Sequence, residues 1–232
     1  MIVAHPNLEL LELTAEALRP LLSEIAFVGG CVTALHITDP AAAPVRITRD
    51  VDVISEITSY SEYVAFSERL RGLGFEEDAG EGAPLCRWRR SGLIVDVMPL
   101  DEKILGFSNR WYAGALRSAT LIQLESGLSL KVAPAPHFLA TKLEAFRGRG
   151  KGDYFASHDL EDLIAVIDGR ESIVDDVTAA PVELRAFMAE GIRSFIADPR
   201  FLDALPGFLL PDEASQGRLT HLFDRLGTLA RL

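Results

Sequence analysis

The stretch Arg49-Asp50-Val51-Asp52-Val53-Ile54 constrains the fold more than any other part of this chain. Strand side chains alternate between faces, so Asp50 and Asp52 point one way while Val51 and Val53 point the other. Two carboxylates then stand about 7 Å apart on one face of a strand whose other face is apolar. Like charges so close are costly unless a cation neutralises them, and carboxylate oxygens are the donors that hard divalent ions such as Mg²⁺ take. The alternative is an acidic strand face turned to water.

The residues before this strand read helix, strand, glycine turn, helix. Apolar residues recur at helical spacing from Leu8 to Glu24, Ile25 to Val28 is a short strand, and Gly29-Gly30 interrupts before CVTALHI resumes as a helix. A strand-to-helix glycine turn lets backbone approach a phosphate, with free N–H groups at the helix start. Thr38 to Thr48 is a proline- and alanine-rich loop, and Ser61 to Leu73 is an amphipathic helix ended by Gly72 and Gly74. Leu85–Arg89 and Leu93–Met98 form a hairpin turning at Ser91-Gly92.

Asp96 sits in the apolar strand LIVDVMP, where an ionised side chain needs a partner. It joins Asp50 and Asp52 if its strand pairs beside theirs; otherwise Arg87 or Arg89 on the facing hairpin strand compensates it. A second hairpin, LIQLESGLSLKVA, turns at Ser126-Gly127, and the pattern is mainly helical from Pro136 onward. The expected fold class is α/β (α+β): a mixed sheet core with flanking helices over residues 1–133, then a helical domain over 134–232 that completes the active-site cleft.

Composition narrows the function classes. No apolar run reaches the roughly 20 residues a bilayer span needs, and MIVAHPNLELLELTAEAL lacks the basic start of a secretion signal, so a cytoplasmic protein is expected with no membrane partner. Cys31 and Cys86 are far apart in segments read as buried, which favours free thiols. The net charge of −11 argues against a general nucleic-acid binder.

Strand, Gly-Gly, helix, Asp-x-Asp and a later third Asp, over Phe27 to Met98, resemble the nucleotidyltransferase (DNA polymerase β-like) superfamily. The later segment PAPHFLATKLEAFRGRGKGDYFASHDLEDLIAVID is similar to the Lys…Arg…Asp stretch of AbiEii-like abortive-infection toxins and the related MenT toxins. The resemblance implies two Mg²⁺ ions held by Asp50 and Asp52, with Asp96 as metal ligand or general base. It implies an NTP co-substrate, triphosphate contact by Lys142, a catalytic acid at Asp159, and tRNA or another acceptor. It also implies an antitoxin partner from a neighbouring gene. The chain departs from the superfamily in a longer Gly30-to-Asp50 segment, with PAAAP inserted.

Other residues keep two readings each. Gly29, Gly30, Thr48 and Arg49 are candidate nucleotide contacts; Arg46, Thr48 and Arg49 either touch phosphate or solvate the approach to the strand. Without the resemblance, Lys142 is a solvated helix lysine. Arg147, Arg149 and Lys151 form a mobile basic loop for a polyanion, or complement a helix C-terminus. His158 flanks a helix start, and Glu161 and Asp162 serve its dipole. ILGFSNRWYAGAL packs a core or stacks a base. Competing function classes are a non-catalytic nucleotide-binding or regulatory protein, transfer to a small molecule or protein, and a phosphohydrolase, for which the five scattered histidines are poor material.

Overall fold

The computed structural model describes residues 5–150 and 152–232. In chain order the elements are α1 (Pro6–Ala17), β1 (Ile25–Val28), α2 (Thr33–His36), β2 (Val51–Ser55), α3 (Tyr60–Gly72), β3 (Glu76–Glu77), β4 (Arg87–Arg90) and β5 (Leu93–Met98). There follow α4 (Glu102–Leu105), α5 (Tyr112–Arg117), β6 (Thr120–Gln123), β7 (Ser129–Val132), α6 (Ala135–Arg149) and α7 (His158–Gly169). The chain finishes with α8 (Ile173–Thr178), α9 (Val182–Ile196), α10 (Pro199–Ala204), α11 (Glu213–Gly217) and α12 (Leu219–Leu229). They form two compact units, residues 1–32 with 47–134, and residues 33–46 with 135–232. No helix among the described residues is long and apolar enough to cross a membrane.

The first unit is built on a mixed seven-stranded sheet ordered β3-β4-β5-β2-β1-β7-β6. β2 runs antiparallel to β1 and parallel to β5, while β7 lies parallel to β1. The β4–β5 hairpin closes on Ser91 at φ 48° and Gly92 at φ 88°, the paired positive angles of a two-residue turn whose twist suits a hairpin. All four residues of β1, and every residue of β2 except Asp52, are buried. Ala26, Val28, Ile54, Met98 and Ala133 form a core cluster with Cys86 and with Ala115 of α5. α3 starts where a capping box permits: Ser59 accepts from the Glu62 N–H and Glu62 accepts from the Ser59 N–H.

Two features differ from the sequence expectation. The residues after the glycines form a 3₁₀ turn over Gly30–Val32, and only the four residues of α2 are α-helical. A long helix with a strong dipole is therefore absent there. β4 begins at Arg87 rather than Leu85, because the Arg87 N–H turns back onto the Pro84 carbonyl and leaves Leu85 exposed.

The second unit is helical. α6 packs on α7 and α9, and α12 on α7 and α9, burying Phe138, Leu139, Leu143, Leu163, Ile167, Met188, Ile192, Leu222 and Leu226. Gly191 permits the α6–α9 approach, since a β-carbon there would stand 2.2 Å from Leu143 Cδ2. α7 starts at Ser157, whose hydroxyl accepts the Leu160 N–H.

Candidate active site

Strand pairing in the first unit sets up a row of residues across the sheet. Val28 opposes Asp52 on β1–β2, Asp52 opposes Asp96 on β2–β5, and Asp96 opposes Arg87 on β4–β5. Side chains at paired positions share a face, so the register brings the two carboxylates and the guanidinium together. Asp50, two residues before Asp52 and just ahead of β2, joins them. Of the two arginines that could compensate Asp96, it is Arg87: Nε and Nη2 donate to the two Asp96 oxygens, each at 2.8 Å. Nη2 also donates to Asp50 Oδ2 at 2.8 Å. Arg89 pairs instead with Asp78. Asp96 is only 5% exposed, whereas Asp50 and Asp52 are half-buried. The Asp96 hydrogen bonds, against the opposing effect of burial, raise the Arg87 pKa above its ordinary value, and the Asp96 and Asp50 charges add to this.

The glycine turn lies directly against this row. Gly29 has φ +73°, and a β-carbon on it would fall 1.8 Å from Asp52 Oδ2. Glycine is required here both for the backbone angle and for the space the carboxylate fills. Asn7, fully buried near the start of α1, holds the surrounding backbone: its amide donates to the Gly30 carbonyl at 3.5 Å and its oxygen accepts the Thr48 N–H at 3.0 Å. Thr48 Oγ1 then donates to Asp50 Oδ1 at 2.8 Å. Thr48 is buried and Arg49 exposed. Asn7 was not evident from sequence, as a single amide in a helix carries no periodic signal.

The donor set fits a hard divalent cation in kind. Asp50 and Asp52 offer carboxylate oxygens on one face, and Mg²⁺ commonly takes only one or two carboxylates plus substrate phosphates. Asp96 is engaged by Arg87 through both oxygens, and among the described residues no three His, Cys, Asp or Glu side chains converge as a ready-made metal group. Cys86, beside the site in sequence, is buried, and burial, then the Asp96 and Asp52 charges, push its thiol up to about 12. Both cysteines are buried and neither is in a disulfide. A cavity of 540 Å³ in this unit opens at the other end of β2, lined by Ser55, Glu56, Arg69 and Lys131, and includes none of the aspartates.

The second unit holds a separate charge cluster. Lys142 on α6 is 6% exposed, so it is not a solvated helix lysine. Its Nζ donates to Asp162 Oδ2 at 2.6 Å and to Asp159 Oδ1 at 3.3 Å. Arg46 forks onto both Asp162 oxygens at 2.9 Å, and Arg149 onto both Asp159 oxygens at 2.9 and 3.0 Å. Asp162, read from sequence as a helix-dipole residue, is 1% exposed and the centre of this network. The missed signal is its i, i+3 spacing from Asp159, which puts both carboxylates on one face of α7. Burial pushes the Asp159 carboxyl up, but Arg149 and Lys142 outweigh it and the net shift is downward.

α6 continues through Arg149, so Arg147 and Arg149 stand in its last turn rather than in a loop; Arg147 pairs with Glu190. Lys151 lies outside the described residues. His158 opens α7 and contacts Glu161. Trp111 in ILGFSNRWYAGAL is buried, in keeping with packing, while Phe107 is partly exposed.

No family model and no curated protein matches this chain. Among solved structures, one of a candidate nucleotidyltransferase from H. pylori is similar at TM-score 0.50 and 9% identity, covering 99% of this chain and 96% of that one. The fold is nucleotidyltransferase-like. A second similar structure, JHP933 from Helicobacter pylori, has TM-score 0.49 and 10% identity, covering 97% of this chain and 92% of that one. At such identity the likeness is one of fold: a mixed seven-stranded sheet in the first half of a nucleotidyltransferase-like chain whose second half is mainly helical.

Proposed function

We propose that the protein is a metal-dependent nucleotidyltransferase that moves an NMP group from an NTP to an acceptor hydroxyl. The observation that carries this is the register pairing of Asp52 with Asp96 beside the Gly29 turn, on a nucleotidyltransferase-like fold. Asp50 and Asp52 would hold Mg²⁺, which when bound neutralises triphosphate charge and polarises the α-phosphate. Gly29 keeps backbone, not a side chain, against the carboxylates. Thr48 fixes the Asp50 carboxylate by its hydroxyl, and Arg87 sets a positive charge against Asp50 and Asp96. Catalysis on this reading rests on positioning and charge neutralisation.

The finer assignment follows the resemblance: an AbiEii- or MenT-like toxin acting on tRNA in the cytoplasm, with an antitoxin partner encoded next to it. Triphosphate contact by Lys142 and the catalytic acid Asp159 belong to the same proposal and rest on the resemblance alone. Incubation with each labelled NTP and with total cellular RNA, protein and metabolites tests it. Metal-dependent labelling of an RNA of tRNA size is expected, and labelling of protein or small molecules instead overturns the tRNA assignment.

Arg87 favours a second reading. One guanidinium already pairs with two of the three carboxylates, so part of their charge is balanced by the protein itself, as it would be in a non-catalytic protein retaining the fold. The two separate in a melting experiment: Mg²⁺ with an NTP raises Tm by ligand linkage if the site binds them and leaves it unchanged otherwise.

A further inference from the structure

We propose that Arg87 is a resident counter-ion that competes with divalent metal for Asp50 and Asp96. It holds the affinity of the empty site for metal low until a triphosphate takes over the guanidinium. This rests on the reading of Asp50 and Asp52 as metal-holding residues and goes beyond it, since it makes loading of metal and triphosphate interdependent.

Three hydrogen bonds of 2.8 Å bind Arg87 to two carboxylates at once, and its Nη2 is shared between Asp50 Oδ2 and Asp96 Oδ2. That nitrogen stands 2.8 Å from an oxygen of each carboxylate. Asp50 has its other oxygen on Thr48, so both of its oxygens are engaged. A positive charge held in contact with these carboxylates repels an arriving metal ion. Guanidinium is also the side chain best shaped to grip phosphate oxygens in pairs, so an arriving triphosphate offers Arg87 new acceptors as it brings metal to Asp50. The sheet register fixes Arg87 opposite Asp96, which makes Arg87 a positioning residue.

The test uses the full chain and Mn²⁺, titrated by calorimetry with and without inorganic triphosphate. Arg87→Gln is expected to bind Mn²⁺ alone at least about tenfold more tightly than wild type, and to gain less affinity than wild type when triphosphate is added. Arg89→Gln, on the same strand but paired with Asp78, is expected to match wild type. If Arg87→Gln does not fold, Arg87→Lys, which cannot span both carboxylates, is expected to move Mn²⁺ affinity in the same direction. In the wild type the Arg87 Nε–H NMR signal is expected to shift on adding Mg²⁺ with triphosphate.

Equal Mn²⁺ affinities in wild type and variant, or an Arg87 signal that does not move, overturn the proposal and leave the nucleotidyltransferase reading standing if the wild type still binds Mn²⁺ with triphosphate. No Mn²⁺ binding to any of these proteins, with triphosphate or without, overturns both.

Discussion

Replacing Gly29 by alanine tests the geometry on which the candidate site depends. The residue sits at φ +73°, and an added β-carbon would meet Asp52 Oδ2 at 1.8 Å and Cγ at 2.6 Å. Forcing a non-glycine residue into the left-handed region costs about 1–2 kcal/mol, and overpacking adds about 1–3 kcal/mol. The expected loss for Gly29→Ala is therefore about 2–5 kcal/mol. Gly127 is the internal control, since it has φ +86° with nothing within 4 Å of its added β-carbon. Gly127→Ala should lose only the backbone part, about 1–2 kcal/mol. Urea unfolding of both variants gives the comparison from midpoints at constant slope. If Gly29→Ala costs no more than Gly127→Ala, the Asp52 carboxylate does not lie against the glycine turn, and the arrangement described for the site is refuted.

Lys142→Met removes one of the two cations on the buried Asp162, and a loss of about 3–5 kcal/mol is expected; a loss below about 1 kcal/mol in denaturant unfolding would show the pair to be dispensable. Asn7→Ala strands the Thr48 N–H and the Gly30 carbonyl and should cost about 1–3 kcal/mol, measured the same way. His36 is buried against Phe138, and burial chiefly, with a contribution from Arg170, lowers its pKa from 6.5 to about 3. Below pH 6.5 the unfolded chain takes up a proton that the folded chain refuses. Stability is therefore level above that pH and declines as pH falls toward about 3, by on the order of 5 kcal/mol in total. His36→Leu should flatten that part of a Tm-against-pH curve, and an unchanged slope would contradict the assignment.

Local periodicity made the strand elements and the shared face of Asp50 and Asp52 legible, because a two-residue repeat needs no knowledge of neighbours. The proximity of Asp96 needed the parallel β2–β5 pairing, which is made across a long crossover and leaves no local mark. Arg87 stood one step from being readable. Once the hairpin turn is placed at Ser91-Gly92, counting back puts Arg87 opposite Asp96 and Arg89 opposite Ile94. Asp162 was hidden for a different reason. An acid in the first turn of a helix is ordinarily explained by the helix dipole, and only the packing of α6 on α7 shows that its face is buried. The helix expected after Gly30 shrank to a 3₁₀ turn and a four-residue α2 because apolar spacing marks a buried face without fixing the hydrogen-bond pattern behind it.

The most direct measurement of the central claim is transfer of label from NTPs carrying it at the α- or at the γ-phosphate, in Mg²⁺, to total cellular RNA, protein and metabolites. Wild type should place α-label but not γ-label on an acceptor, lose this with chelator, and lose it in Asp52→Ala of unchanged fold. Transfer of γ-label, α-labelling that survives in Asp52→Ala, or no label in any fraction would contradict the account.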